Sequence, residues 1–248
     1  MTAPALRATM ERRILVNYRV DPDVLARDLP APFRPALVDG YGMAGICLIR
    51  LSGVRPAGVP RAFGLRSENA AHRVAVEWDT PDGPVSGVYV PRRDTSSRVA
   101  AVAGGRVFPG WQHLADFTVA ERDGHYRVEV RSHDGVVHVV VGAGTAEVPM
   151  PGSVFADVED ASRFFRCAPL GFAKTRVDGV FDGVELGTKG WDLQPLQVDE
   201  VQSSFFDDRS RFPAGAVQLD SAFVMGGLET SWRPQRQLDA TGRAMVGS

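Results

Sequence analysis

Six Asp-Gly dipeptides punctuate this chain of 248 residues, at Asp39-Gly40, Asp82-Gly83, Asp123-Gly124, Asp134-Gly135, Asp178-Gly179 and Asp182-Gly183. Asp-Gly supplies the positive φ angles of tight hairpin turns, so its recurrence between apolar runs argues for antiparallel sheet. The clearest hairpin pairs Tyr126 to Arg131 with Val136 to Val141 across Asp134-Gly135. Further strands are expected at 14–19, 41–51, 68–79, 85–90, 113–121, 200–206, 217–225 and 229–233. The run from Tyr41 to Leu51 is apolar on both alternating faces, as a strand covered from both sides requires. A closed or strongly curled sheet provides that cover. The expected class is mainly β (β-rich α+β), one large curled antiparallel sheet with a few short helices.

Asp21-Pro22 places an N-cap before a proline at the first helical position and starts one helix, with Val24, Leu25 and Leu29 on one side. A second is expected over Thr95 to Ala103. A third is capped by Ser153, with Phe155, Val158, Ala161, Ser162 and Phe165 as its packing stripe. Residues 10–234 read as a single domain, with 1–9 and 235–248 as frayed tails.

Composition excludes several function classes. The formal charge is −2 and basic residues are scattered, so there is no nucleic-acid footprint. No apolar run approaches a membrane span and no signal segment opens the chain, so a soluble cytoplasmic protein is expected. Cys47 and Cys167 are too few for a disulfide framework, and Cys47 lies in an apolar run where a buried free thiol is the default. Of 28 basic residues only Lys174 and Lys189 are lysines, which leaves two candidates for amine chemistry. Phosphate-loop, nucleophile-elbow and zinc-helix signatures are absent, and the five histidines lack metal-ligand spacing. No cofactor and no metal are expected.

Strand periodicity gathers a candidate site. In the strand 68–79, Glu68, Ala70, His72, Val74, Val76 and Trp78 form the more apolar face, opposite Asn69, Arg73, Glu77 and Asp79. The even face therefore reads as inward. In the strand starting at His113, Ala115, Phe117 and Val119 share the apolar face with His113, and Gln112 takes the opposite one unless Pro109-Gly110 or a bulge disrupts the pleat. Glu68, His72 and His113 are thus expected to meet in one cavity, as a catalytic group or as a structural hydrogen-bond cluster.

The run Gly104 to Ala115, GGRVFPGWQHLA, resembles the active-site segment of acetoacetate decarboxylases. Similar pieces are Tyr18 to Pro22 through Leu29-Pro30, Glu68-Asn69-x-x-x-Arg73, Gly87-Val88-Tyr89, and Trp191 to Asp220 with Ser203-Ser204-Phe205-Phe206 and Phe212-Pro213. Together they resemble an uncharacterised bacterial branch of the acetoacetate decarboxylase-like superfamily. The resemblance implies a curled sheet, close to a barrel or cone, enclosing a substrate cavity. In that family the segment carries two adjacent lysines, one forming a Schiff base with a keto acid. Matching Leu114-Ala115 to the family's Leu-Ala places Gln112 and His113 there, and neither forms an imine. Glu68 resembles a glutamate lining the family pocket, and a family arginine near the first strand has no clear match, because Glu11, Arg12 and Arg13 each align with it at small shifts.

The expected function is a cavity for a small carbonyl or carboxylate ligand, without Schiff-base decarboxylation. His113 is the candidate acid or base, with Glu68 as its partner. Gln112, Trp111, His72, Arg73 and Phe108 are the candidate ligand-binding residues, and the chain has no nucleic-acid or membrane partner. The alternatives are a lysine-independent acid/base enzyme on a small keto or carboxylic acid, and a structural or homo-oligomerisation module.

Overall fold

The structure, a computed structural model, describes residues 4–103 and 110–245. Its first strands are β1 (Leu6–Val20), β2 (Arg34–Pro35), β3 (Leu37–Val38), β4 (Tyr41–Pro56), β5 (Leu65–Thr80), β6 (Gly83–Thr95) and β7 (His113–Arg122). They are followed by β8 (His125–Ser132), β9 (His138–Thr145), β10 (Leu170–Lys174), β11 (Val180–Lys189), β12 (Gln194–Ser203), β13 (Val217–Met225) and β14 (Leu228–Asp239). The helices are α1 (Pro22–Asp28), α2 (Arg98–Ala103) and α3 (Val158–Arg166). No helix of the described residues is long and apolar enough to cross a membrane.

Five of the six Asp-Gly pairs sit at strand-to-strand turns. At Asp39-Gly40 and Asp123-Gly124 both residues have positive φ, as a two-residue hairpin requires. The sixth, Asp182-Gly183, lies inside β11 instead of turning the chain. There the register slips between Phe181 and Gly183, and a Cβ on Gly183 would stand 2.8 Å from the Phe172 ring. Glycine serves close packing at that point.

The fourteen strands form one sheet in the order β10-β11-β14-β1-β13-β12-β9-β8-β7-β6-β5-β4-β3, with β2 on β5. Two more pairings, β1 with β4 and β10 with β6, close it on itself. One circuit runs through β1, β4, β5, β6, β10, β11 and β14. The other runs through β1, β13, β12, β9, β8, β7, β6, β5 and β4. The sheet is mixed, because β6 meets both β7 and β10 in parallel.

The shared strands are buried on both faces, which explains the two-sided apolar run in β4. Ala44, Ile46 and Leu48 pack in the larger core cluster with Ile14, Val16, Val130, Val139 and Phe206. Met43, Cys47 and Leu51 pack in a second cluster with Met10, Phe155, Phe223 and Leu193. Strand β5 divides likewise, with Val74, Val76 and Trp78 on one side and Ala75 on the other.

Several sequence expectations change. Residues 6–9 and 235–239 are paired strand ends and not tails, because β1 and β14 run on into the sheet. Ser153 does not cap the third helix. Asp157 does, accepting from Asp160 N at 2.8 Å, while Ser153 donates to the buried Asp220 carboxylate at 3.0 Å. Phe155 precedes the helix yet packs on both Phe164 and Phe165. Strands β10 and β11 were not expected at all.

Candidate functional site

The seven-strand circuit surrounds a pocket of about 420 Å³. Arg13 of β1, Cys47 of β4, Asn69 and Arg73 of β5, Arg93 and Asp94 of β6 and Gln112 are polar residues of its wall. Strands β10, β11 and β14 contribute Leu170, Val184, Leu186 and Trp232, and the end of α3 contributes Phe164 and Phe165. The wall is therefore mainly apolar with a few convergent polar groups, the composition of small-molecule sites.

The polar groups form a chain. Ser221 is fully buried, and Asn17, buried beside it, donates to the Ser221 carbonyl and hydroxyl oxygens, each at 3.2 Å. This fixes the amide so that its oxygen accepts from Arg73 Nη2. Arg73 then donates through Nε to Cys47 Sγ at 3.1 Å, and Arg13 donates through Nη2 to the same sulfur at 3.6 Å. Arg73 stacks on the Phe165 ring at 5.0 Å, and Arg13 lies 6.0 Å from the Trp191 ring centroid.

Electrostatics at this cluster are unbalanced. Among the described residues, neither Arg13 nor Arg73 forms an ion pair with a carboxylate. Burial works to raise the Cys47 thiol, but the guanidinium charges of Arg73 and Arg13 outweigh it and hold the thiol below its ordinary value. Burial likewise lowers Arg73, with the like charge of Arg13 adding to the effect. Buried cations require partners, and here the partners are the neutral Asn17 amide oxygen, the Cys47 sulfur and the open pocket.

The structure divides the sequence candidates. Gln112 and Arg73 line the pocket. His113 does not: it is over a third exposed and its Nδ1 lies 3.0 Å from Asp134. Regular alternation does hold across this strand start, but the apolar face it shares with Ala115 and Phe117 belongs to the other core cluster. The pocket lies on the opposite side of the sheet from that face.

Glu68, His72 and His113 consequently have separate partners. Glu68 pairs with Arg12 and Arg50, each at 2.6 Å, and Glu121 completes that four-residue ion cluster through both arginines. His72 is fully buried, stacked on Phe205 at 4.7 Å, with neither ring nitrogen hydrogen-bonded among the described residues. Burial, with the charges of Arg92 and Arg211, holds it down to about 3, so it stays neutral near physiological pH. Trp111 is half exposed and carries the Arg176 guanidinium 4.5 Å from its ring. Phe108 and the segment 104–109 lie outside the described residues.

Gly110, at the other end of that segment, has a positive φ of 75° and abuts Ala173 of β10, where a Cβ would come within 2.5 Å. Both lysines stand away from it: Lys174 is exposed, and Lys189 is exposed and paired with Glu229 at 3.1 Å. No group of three or more His, Cys, Asp and Glu side chains suited to a metal ion occurs among the described residues.

Sequence reasoning passed over Arg13 as a wall residue, Cys47, Asn69 and Asp94. A signal for one of them was present, since Asn69 lies four residues from the candidate Arg73 on the same strand face, a face whose polarity reads as solvent-facing.

Residues 7–210 match the DUF2071 family, described as an uncharacterized conserved protein. No curated protein is significantly similar to the chain. Among solved structures it is similar to the acetoacetate decarboxylase from Legionella pneumophila, with 14% identity and a TM-score of 0.60 over 95% of this chain and 88% of that one. The enduracididine biosynthesis enzyme MppR complexed with pyruvate also matches, with 14% identity and a TM-score of 0.60 over 98% and 92% of the two chains. An acetoacetate decarboxylase-like enzyme from Sphingomonas wittichii RW1 matches with 14% identity and a TM-score of 0.58, over 94% and 91%. The fold is that of the acetoacetate decarboxylase-like proteins.

Proposed function

The chain belongs to the DUF2071 family, and we propose that it binds a small organic carboxylate, of the oxo-acid class, in the pocket of the seven-strand circuit. The observation that carries this reading is the pair Arg13 and Arg73, two guanidinium groups converging on one buried point with no carboxylate of the described chain to neutralise them. A ligand carboxylate supplies the missing charge. Hydrogen bonds to charged groups contribute about 1.5–3 kcal/mol each, enough to decide selectivity between an acid and its neutral analogue. The apolar wall of Leu170, Val184, Phe164 and Trp232 then suits the remainder of a compact carbon skeleton. Gln112 offers an amide to a carbonyl oxygen. Pyruvate bound to MppR, a protein of the same fold, supports this ligand class.

The binding is lysine-independent, because Lys174 and Lys189 lie outside the pocket wall. Calorimetric titration of pyruvate and acetoacetate against acetone tests the reading: the acids bind and the ketone does not. Equal affinity for acetone, or an adduct on either lysine after borohydride treatment with a keto acid, contradicts it.

A second reading, an acid–base enzyme, draws on Asp94. Its side chain has no exposure, and burial raises its carboxyl despite the Arg92 pair at 2.6 Å. It is the one carboxylate residue of the pocket wall among the described residues, and in this reading it exchanges a proton with a bound ligand. Deuterium exchange into the methyl group of pyruvate, lost in Asp94→Asn, is the expected result for that activity.

A further inference from the structure

Among the described residues the wall of the seven-strand pocket holds one thiol, that of Cys47, and its sulfur lies on the two cations that would hold a carboxylate. We propose that Cys47 is a nucleophile, adding reversibly to the carbonyl carbon of an oxo acid whose carboxylate is held by Arg13 and Arg73. This rests on the carboxylate-binding reading and adds to it a covalent step. The geometry supports it in three respects. Cys47 lines the pocket, the donors to its Sγ approach at 3.1 and 3.6 Å, and those donors are the same two guanidiniums that lack a carboxylate among the described residues. An α-oxo acid places its electrophilic carbon one bond from its carboxylate, so a carboxylate on the guanidiniums brings that carbon to the sulfur.

The step balances without an oxidant or reductant. The thiolate forms an S–C bond, the carbonyl π pair moves to oxygen, and that oxygen takes a proton from water. The product is a thiohemiketal, or a thiohemiacetal from an aldehyde acid. Thiolate is the reacting form, and the two guanidiniums that lower the Cys47 thiol favour it. Such an adduct gives no electron sink for decarboxylation, which separates this chemistry from imine catalysis.

The chain contains its own control, since Cys167 is an exposed free thiol and Cys47 a buried one. The intact wild-type protein is alkylated near pH 6.5 with iodoacetate or with iodoacetamide, and each cysteine is followed by peptide mass. Iodoacetate carries a carboxylate beside its reactive carbon, whereas iodoacetamide is neutral, so the pair reports anion guidance and nucleophilicity together. The expected result is that Cys47 reacts about tenfold faster with iodoacetate than with iodoacetamide, that Cys167 shows no such preference, and that excess pyruvate protects Cys47 alone. Consumption of Cys167 with Cys47 untouched overturns the proposal, and so do equal rates of both reagents at Cys47.

Titration of Cys47→Ala with pyruvate separates the two levels. Retained binding in that variant beside an inert wild-type thiol ends the nucleophile and leaves the carboxylate site standing. Loss of pyruvate binding in both proteins ends both.

Discussion

His72 and Arg73 are neighbours in sequence and are both buried, yet β5 sends them to opposite sides and into opposite roles. His72 enters the larger core, against Phe205 and Phe206, where no group of the described residues satisfies its ring nitrogens. Arg73 enters the pocket, where Asn17 and Cys47 receive its hydrogen bonds and Phe165 covers its plane. A buried polar side chain is therefore informative only together with its neighbours. Isolation makes His72 a cost to the fold, and convergence with Arg13 makes Arg73 part of a site.

The larger core depends on its polar end, and the largest effect is expected there. Glu68→Ala leaves the buried Arg12 with only Glu121, and Arg50 loses a 2.6 Å partner. Unfolding free energy should fall by about 2–3 kcal/mol in urea titration, with pyruvate affinity unchanged. A loss of affinity without a loss of stability would return Glu68 to the functional site.

His72→Phe sharpens the same contrast through pH. Folded His72 titrates at about 3 against an ordinary 6.5, so as pH falls below 6.5 the unfolded chain takes up a proton that the folded chain refuses. Stability is lost across that window by about 1.4 kcal/mol per pH unit, and above it this ionisation costs nothing. The phenylalanine variant should lose that portion of acid sensitivity and be at least as stable at neutral pH. An unchanged slope between pH 6 and 4 would show that His72 has a partner in the folded state.

Smaller effects distinguish the two residues at the start of β7. Gln112→Ala should weaken pyruvate binding by about 1 kcal/mol, roughly fivefold, through loss of one neutral hydrogen bond. His113→Ala removes an exposed pair with Asp134 and should change stability by no more than about 0.5 kcal/mol and affinity not at all. The reverse ranking would place the imidazole in the pocket.

Much of the fold was legible because turn chemistry and two-residue alternation are local. Asp123-Gly124 and Asp134-Gly135 mark hairpins wherever they occur, and β13 follows from its own apolar run. Closure was not local. The β1–β4 and β6–β10 pairings join distant segments, and they decide which face of β5 encloses a pocket. Alternation identified two faces of that strand but had no means of knowing that both are covered. Strands β10 and β11 escaped notice because Gly171, Gly183 and Gly187 dilute their β character, though close packing requires glycine at Gly183. Cys47 was legible as buried, whereas the two arginines that alter its chemistry come from β1 and β5.

Pyruvate affinity in Arg73→Met compared with His72→Phe tests the central claim most directly, because the two substitutions are adjacent in sequence and remove groups from opposite faces. The arginine variant should lose affinity by about 30-fold or more, as expected when a buried, hydrogen-bonded cation is removed from a carboxylate, while the histidine variant binds as the wild type does. Retained affinity in Arg73→Met, with loss in a folded His72→Phe, would place the ligand on the other side of the sheet and contradict the account.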